Sequence, residues 1–252
     1  MSSSASGSVD MADEKTVPPA ELNILDPILE LLDARPRFDG SGLASVRYNL
    51  RLNPGDCALI ECRDMQQASL FADMCVGLVD LDDGIARCMG LEWSDLDERR
   101  AAALRGRIGR MVANGGWIDL YGTHMNILWP QLHHTRVPEE RLMQQAVQLG
   151  MQFGLPGLPV VSPGKLSPLD RCRADCVRAF LGEPALLLLE NPMGSANPPL
   201  MNAFLSALTD ARDRGCAVVW LAPNDSGWGA YEADATIRLR LYDDGLFSMR
   251  GS

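Results

Sequence analysis

The stretch LLLLENP, residues 186–192, ends a run of leucines with a carboxylate and an amide, Glu190 and Asn191. Many nucleotide hydrolases place two acidic residues at the end of such a buried strand, one to hold magnesium and one to activate water. An amide cannot accept a proton at neutral pH, so the second role is missing here. Three interpretations are open: a nucleotide-hydrolysing site, such a site with its chemistry removed, or a strand followed by a turn.

The composition limits the classes of protein to which the chain can belong. Its 252 residues, 46% of them hydrophobic, are enough for a sizeable core. The formal net charge is -10, and the arginines are scattered among acids. A general nucleic-acid binder needs a positively charged surface, so this class of protein is excluded. No apolar run approaches the roughly 20 residues that a membrane-spanning helix needs, so we expect a chain that does not itself span a membrane.

Seven cysteines form no C-x-x-C pair, and an odd number of thiols without an export signal favours reduced, cytoplasmic cysteine. Cys172 and Cys176 lie one helical turn apart, and we interpret them as small core hydrophobes. Neither His124 nor the His133 and His134 pair has ligand spacing to these thiols, which argues against a metal site.

The order of hydrophobic periodicities predicts an α/β fold. Residues 1–21, rich in Ser, Ala and acids, are expected to form a disordered tail before a single domain over 22–252. Antiparallel strands are predicted within 24–38 and 45–62, and later strands alternate with helices, which indicates a mainly parallel core sheet. Residues from about 115 to 180 are predicted to form a helical subdomain inserted in the α/β core.

Local signals place the individual elements. A helix is predicted over 66–78, followed by a stop at DLDDG, residues 80–84. A capping box of Ser94 and Asp97 predicts a short charged helix that ends at Gly106. The remaining predicted elements are helices over 137–155, 167–182 and 198–215, and strands over 108–114, 185–190, 216–223 and 236–251, the last a hairpin turned at Asp-Asp-Gly.

Taken in order, these segments resemble the nucleotide-binding subunit of an ABC transporter. NLRLNPGDCALIE is similar to the family's strand, turn and strand before the phosphate loop, and SLFADMCVGLVDLDDG to the helix and turn after it. GLPGLPVVSPGKLS is similar to the approach to the signature motif, and RCRADCVRAFLGEPALLLLENP to the signature helix and Walker B strand. HHTRVPEERL resembles the bacterial subunits that power lipid-trafficking, solvent-tolerance transporters. The resemblance implies a P-loop NTPase-like ABC cassette, with ATP and magnesium as the ligands of any nucleotide site.

The resemblance aligns the family's phosphate loop with CRDMQQAS, residues 62–69. Such a loop needs glycines whose N–H groups curl round the phosphates, a lysine that reaches the β and γ oxygens, and a hydroxyl for magnesium. Ser69 keeps its type, and Arg63 is a candidate substitute cation, but Asp64 beside it would repel an anion. An ordinary strand-to-helix turn is the other interpretation. Cys62 and Gln67 stand where the family has glycine, and Ala68 stands where it has the lysine.

In the family's Walker B strand an Asp holds magnesium through water, and the following Glu polarises the attacking water. Pro192 sets the register, because the family places proline directly after that Glu. Glu190 therefore replaces the Asp and Asn191 replaces the base. The other switch positions also differ, with Ala113 for the glutamine that senses magnesium, Pro223 for the switch histidine and Asn197 for the D-loop aspartate.

The family's signature motif corresponds to LSPLD, in which Ser167 survives. Ser167, Pro168 and Asp170 also form a self-sufficient helix start, with an N-cap serine, a proline at the first helical position and an acid at the third. The carboxylate of Asp170 would then satisfy the helix N-terminus that a phosphate normally occupies. Phe38 stands where the family stacks an aromatic ring on adenine, although such a residue more often packs in a core.

These losses predict a degenerate cassette with little or no ATP hydrolysis. It would serve as a structural or regulatory partner of a membrane permease, of a second cassette, or of both, at the inner face of the membrane. The alternatives are a slow ATPase with atypical ligands and a cytosolic regulator that reuses the fold. If nucleotide binds, the predicted contacts are Phe38, Arg63, Ser69 and Ser167, with Ser69 and Glu190 for magnesium.

The predicted docking region for a permease is GGWIDLYGTHMNILWPQLHH, residues 115–134. It matches the part of the family's helical lobe that meets the permease. Trp117, Tyr121 and Trp129 are candidate interface anchors, and core packing is the alternative for two of the three.

Overall fold

The structure is a computed structural model that describes residues 26–37, 40, 42–113, 116–193, 196–223, 228 and 231–249. The predicted tail, residues 1–21, and the candidate adenine platform Phe38 lie outside these ranges. The strands are β1 (Leu29–Pro36), β2 (Tyr48–Leu52), β3 (Cys57–Cys62), β4 (Leu81–Cys88), β5 (Leu91–Glu92), β6 (Ile108–Met111), β7 (Leu186–Glu190), β8 (Ala217–Ala222), β9 (Ile237–Tyr242) and β10 (Gly245–Ser248). The helices are α1 (Met65–Cys75), α2 (Glu98–Arg105), α3 (Thr123–His134), α4 (Glu139–Gln152), α5 (Pro168–Phe180) and α6 (Pro198–Asp213).

The strands form two sheets. One is antiparallel, with the order β2-β1-β4-β5. The other has the order β10-β9-β3-β8-β7-β6, in which every pairing is parallel except that of β9 with β10. The predicted α/β class with a mainly parallel core sheet is confirmed, as are the antiparallel pairing of β1 with β2 and the hairpin turned at Asp-Asp-Gly. The strand over 57–62 was also expected to be antiparallel, but β3 pairs in parallel with β8 and β9.

The parallel sheet is buried on both faces because its central strands are apolar at nearly every position. Successive side chains of a strand point to opposite faces. Alternate residues of β7 and β8 therefore fill different layers: Leu187, Leu189, Val218 and Trp220 lie in one cluster, and Leu186, Leu188, Val219 and Leu221 lie in the other. The face that carries the second cluster is the one against which α1 packs.

Three helices follow one another between β6 and β7 and pack together: α3, α4 and α5. Helix α5 also contacts β6, where Gly109 lies against the end of the helix. A Cβ atom on Gly109 would overlap the backbone carbonyl oxygen of Ala179. The close approach of helix and strand therefore depends on glycine at this position. That these helices form a separate subdomain over about 115–180 stays a prediction.

The predicted helix does stop before DLDDG, since α1 ends at Cys75, but strand β4, which begins at Leu81, was not predicted. Two other local predictions are wrong. The N-cap of α2 is Asp97 itself, whose side chain accepts the N–H of Arg100. The hydroxyl of Ser94 instead donates to Glu92.

The helical segment was also expected to begin near residue 115, but α3 begins at Thr123. The side chain of Asn126 explains the difference. It accepts the N–H of Ile118 at 2.8 Å and donates to the carbonyl oxygen of the same residue at 3.0 Å. An amide side chain on α3 therefore satisfies backbone groups of the preceding segment, which stays non-helical.

All seven cysteines are free and buried. Burial is the main cause that raises the pKa of the Cys57, Cys62, Cys75 and Cys216 thiols to about 12. The interpretation of Cys172 and Cys176 as core residues is confirmed, since both lie in the cluster that also contains Trp220.

Asp175 on α5 gives the fold a pH dependence. Burial raises the pKa of its carboxyl to about 6, against the opposing charge of Arg178, whose Nη2 donates to it at 2.7 Å. The carboxyl of an unfolded chain has a pKa of about 4. Between about pH 4 and 6 the folded state holds this proton more tightly, so the contribution of Asp175 to the free energy of unfolding falls as pH rises, by up to about 3 kcal/mol.

We therefore expect Asp175→Asn to change the pH dependence of stability. Urea unfolding from pH 4 to 7 should show the wild type losing stability relative to the variant as pH rises. The exposed Asp210 on α6 supplies the control, Asp210→Asn, which should leave the dependence unchanged. If the free energies of unfolding of the wild type and of Asp175→Asn changed with pH by the same amount, the expectation would be contradicted.

Candidate functional site

Glu190 ends β7 with its side chain fully buried, at 0% exposure. Both carboxylate oxygens have partners. Oε1 accepts from Arg110 Nε at 2.7 Å, and Oε2 accepts from the Ser69 hydroxyl and from the backbone N–H of Ala113, the latter at 3.2 Å. The structure thus brings together the two predicted magnesium positions, Ser69 and Glu190, but joins them directly to each other.

Arg110 lies on β6, the strand beside β7. In the parallel ladder Arg110 pairs with Leu188, so Glu190, two residues further on, points to the same face of the sheet. On that face the guanidinium reaches α1: Nη1 donates to Asp73 Oδ1 at 2.5 Å, and Nη2 donates to the carbonyl oxygen of Ser69 at 3.2 Å. Strand β6, strand β7 and helix α1 are therefore connected through one side chain.

This cluster keeps Arg110 charged. Its burial opposes the charged form, but the carboxylates of Glu190 and Asp73 outweigh that effect and raise the pKa of the guanidinium above its ordinary value. A buried charge is stable only when it is paired and hydrogen-bonded. The guanidinium of Arg110 both pairs with the buried carboxylate of Glu190 and donates a hydrogen bond to it.

The stretch aligned with the phosphate loop is largely helical. Helix α1 begins at Met65, and its N-cap Asp64 accepts the N–H of Gln66 on its side chain and the N–H of Ala68 on its carbonyl oxygen. The side chain of Ala68, at the family's lysine position, is buried with 0% exposure. Two backbone N–H groups of this stretch, those of Gln66 and Ala68, are therefore bonded within the chain and do not point to a phosphate.

A second carboxylate lies at the start of the same helix. The amide nitrogen of Gln67 donates to Asp243 Oδ1 at 3.3 Å, so the turn between β9 and β10 contacts the first turn of α1. With Asp64 already on the helix N-terminus, two acids occupy the end that would favour a phosphate.

Arg63, the candidate substitute cation, lies against an aromatic ring instead. Its guanidinium carbon is 5.6 Å from the centre of the Tyr242 ring. Arg240 is close to the same ring, at 5.7 Å, and binds Glu61 through two nitrogens. Arg63 is therefore engaged on the C-terminal hairpin.

The positions of the family's base and switch histidine carry no proton acceptor. Asn191 has a φ of 47°, in the left-handed region that asparagine tolerates better than most residues, and its N–H donates to Leu221 of β8 at 2.7 Å. Pro223 directly follows β8 and has no titratable group. Asparagine at position 191 thus suits the left-handed backbone conformation found there. Neither Asn191 nor Pro223 can act as a base.

Ser167 and Asn197 serve as helix caps. The hydroxyl of Ser167 accepts the N–H of Asp170 at 3.1 Å and donates to the carboxylate of the same residue at 2.8 Å. Pro168 is the first residue of α5, as predicted. Asn197 accepts the N–H of Leu200 at 3.1 Å at the start of α6. The predicted helix start with Ser167 as N-cap and Pro168 as first residue is confirmed, whereas the Asp170 carboxylate accepts from the Ser167 hydroxyl and from Arg173.

A magnesium-bound nucleotide does not fit this arrangement. The oxygens of Glu190 and the hydroxyl of Ser69 are paired with each other and with Arg110, and a metal would have to displace the guanidinium. Among the residues that the structure describes, no group of three or more His, Cys, Asp or Glu side chains is placed to hold a metal ion.

Sequence reasoning missed Arg110 and Asp73. The available signal was one arginine inside a short predicted strand, with apolar residues on either side. Nothing local pairs it with Glu190, which is 80 positions away. The pairing follows only from the neighbouring positions of β6 and β7 in the sheet.

The chain has the fold of an ABC-transporter cassette. It superposes on a dimeric bacterial ABC transporter cassette with a TM-score of 0.74, at 18% identity, over 89% of this chain and 100% of that one. A second solved structure, the ATP-binding subunit of an ABC transporter, gives a TM-score of 0.72 at 14% identity, over 88% of this chain and 90% of that chain. These likenesses show the fold alone.

Its relatives in sequence are ATP-binding subunits of ABC transporters. The chain is 28% identical over 185 residues to the methionine import ATP-binding protein of Rhizobium etli, covering 73% of this chain and 51% of that protein. It is 26% identical over 220 residues to the phosphonates import ATP-binding protein of Hyphomonas neptunium, covering 83% and 81%. It is 31% identical over 146 residues to the lipoprotein-releasing system ATP-binding protein of Maricaulis maris, covering 57% and 63%.

The chain is thus a homologue of the ABC-transporter ATP-binding subunits, as the resemblance implied. It spans about half the length of the methionine import relative. No protein-family model matches it. None of the helices in the described ranges has the length and apolar character needed to cross a lipid bilayer.

Proposed function

We propose that the chain is a cassette subunit of a membrane transport complex that does not hydrolyse ATP and acts as a structural or regulatory partner. Its place would be the cytoplasmic face of the membrane, beside a permease, a second cassette, or both. The observation that carries the proposal is the buried Glu190, whose carboxylate is held by Arg110 and Ser69 of the same chain.

The chemistry of the neighbouring positions supports the same conclusion. Hydrolysis needs a cation for the developing charge and a base or positioning group for water. Asn191 and Pro223 supply no base, and Ala113 offers only its backbone N–H, which already binds Glu190. The N-terminus of α1, with Asp64 and Asp243 beside it, is unfavourable for a triphosphate.

The proposed docking face for a permease lies on the segment before α3 and on α3 itself. Tyr121 and Trp129 are 40% and 45% exposed, and their rings stack with centres 5.4 Å apart. Leu120 is 85% exposed beside them. Trp117 is less suited to contact a partner, because it is half-buried with the guanidinium of Arg178 4.2 Å from its ring centre.

The alternatives have less support. A slow ATPase would use Arg63, Ser69 and Glu190, but Ser69 and Glu190 are bonded to each other, and the exposed Arg63 lies against the Tyr242 ring. A cytosolic regulator is not favoured by relatives that are transporter subunits. Those relatives are named for different transported substrates, so we propose no substrate for this chain. The assignment to lipid transport stays a prediction.

The test is a nucleotide titration with a matched hydrolysis assay. We expect no heat of binding with magnesium ATP at millimolar concentration, no heat with metal-free ATP, and no ATP turnover above a buffer blank. Ser69→Ala and the exposed control Ser206→Ala on α6 should behave alike. Turnover that Ser69→Ala abolishes and Ser206→Ala leaves unchanged would refute the proposal.

A further inference from the structure

We propose that the guanidinium group of Arg110 is the permanent cation of this site, in the place where a divalent metal ion would otherwise lie between α1 and β7. The inference rests on the proposed function in one respect: it takes Ser69 and Glu190 as the metal positions of the family. It adds a role for Arg110 and Asp73, which the family comparison does not assign.

The contacts of Arg110 are those of a cation among oxygen ligands. Three nitrogens of its guanidinium each donate to a different group: Nε to Glu190, Nη1 to Asp73 and Nη2 to the carbonyl oxygen of Ser69. The group is also enclosed, since the side chain of Arg110 is only 21% exposed. A planar guanidinium forms such directed bonds at fixed angles, which an ammonium group does not.

Charge counting leads to the same conclusion. The cluster holds two carboxylates and one guanidinium, with Glu190 fully buried and Asp73 30% exposed. Without the guanidinium, two negative charges would remain beside a hydroxyl and a carbonyl oxygen. Carboxylate, hydroxyl, carbonyl and water oxygens are the ligands that magnesium and manganese prefer.

A covalent cation differs from a metal in one measurable way. Arg110 is covalently part of the chain and cannot dissociate, and a guanidinium group is protonated at neutral pH. The stability of the wild type should therefore not respond to a chelator or to added magnesium. The variant Arg110→Gln keeps a side chain of similar reach and removes the charge, so its stability should depend on a divalent ion.

The experiment compares melting temperatures of the wild type, Arg110→Gln, Arg110→Lys and the double variant Arg110→Gln with Glu190→Gln. Each is measured in EDTA, in magnesium chloride, in manganese chloride and in sodium chloride of equal ionic strength. Manganese binding is followed directly by electron paramagnetic resonance.

We expect the wild type to be unchanged by either metal and to show no saturable manganese binding. Arg110→Gln should melt lower in EDTA and recover by about 5–10 °C when a divalent ion is in roughly 100-fold excess over its Kd. Sodium chloride should not reproduce this recovery. Arg110→Lys, which keeps a positive charge, and the double variant, which lacks the Glu190 carboxylate, should be insensitive to metal.

Three results would overturn the inference: stabilisation of the wild type by magnesium, equal metal response in Arg110→Gln and its double variant, or no metal response in Arg110→Gln. If Arg110→Gln does not fold in EDTA, refolding in magnesium replaces the melt. Recovery only with magnesium then supports the inference, and failure in both buffers overturns it.

These outcomes are separate from those of the proposed function. An ATP-hydrolysing wild type would refute the function whatever Arg110→Gln does with metal. A chain without hydrolysis whose wild type binds manganese at Ser69 would keep the function and refute the role of Arg110.

Discussion

Replacing Arg110 with alanine is expected to lower the free energy of unfolding by about 3–5 kcal/mol in metal-free buffer. The reason is the carboxylate that stays behind: Glu190 is fully buried and would keep only the Ser69 hydroxyl and the Ala113 N–H. Breaking a buried pair costs more than the pair contributes, because an uncompensated charge remains. Guanidinium chloride unfolding, followed by the fluorescence of the five tryptophans, of which Trp220 is fully buried, measures the change.

Arg47 on the surface provides the matched control. Its ion pair with Asp83 is 3.0 Å long, but both side chains are at least half exposed, at 58% and 50%. Arg47→Ala should therefore cost no more than about 1 kcal/mol. Equal losses for the two variants would contradict the assignment of Arg110 to a buried cluster. Replacing the Arg110 and Glu190 pair together with Met and Leu should recover much of the loss, as is found for buried ion pairs.

Gly109→Ala is the second substitution with a large expected effect, a loss of about 3 kcal/mol. Its Cβ atom would overlap the carbonyl oxygen of Ala179 and lie 2.9 Å from Leu187 Cδ2. A backbone atom cannot rotate away as a side chain can, so α5 must shift from β6. Strand β6 carries Arg110, and the shift should also disturb the ionic cluster.

Gly157→Ala is the control for that substitution. A Cβ atom on Gly157 meets nothing within 4 Å. We expect its stability to stay within about 0.5 kcal/mol of the wild type in the same denaturant titration. A Gly109→Ala variant as stable as Gly157→Ala would show that α5 accommodates the methyl group.

The fold was predictable where apolar patterning was strong. Strands β7 and β8, buried on both faces, read as continuous apolar runs, and Ser167, Pro168 and Asp170 mark the start of α5 without any tertiary information. Strand β4 was missed because its acids and Gly84 have the composition of a turn. It forms a strand because it pairs with β1 and buries Ala86 and Cys88, contacts that local composition does not reveal.

The site was predictable in part. The resemblance predicted Ser69 and Glu190 as contacts of the same magnesium ion, and the structure does bring the two residues into contact. The partner that neutralises Glu190 was not predictable, because Arg110 lies on another strand and reaches it across the sheet. Long-range ion pairs leave no periodic signal in a sequence, and only the order of strands reveals them. The same holds for the contact of Gln67 with Asp243, 176 positions apart.

The early start of α1 limits which side chains position 68 can carry. Because the helix begins at Met65, position 68 lies in its first turn with its side chain in the core, next to Phe71 and Ile60 in the same cluster. A mutation of Ala68 to lysine would bury a charge before it supplied any phosphate contact, and the helical turn would have to unwind first. A lysine at position 68 would therefore lower stability before it could contact a phosphate.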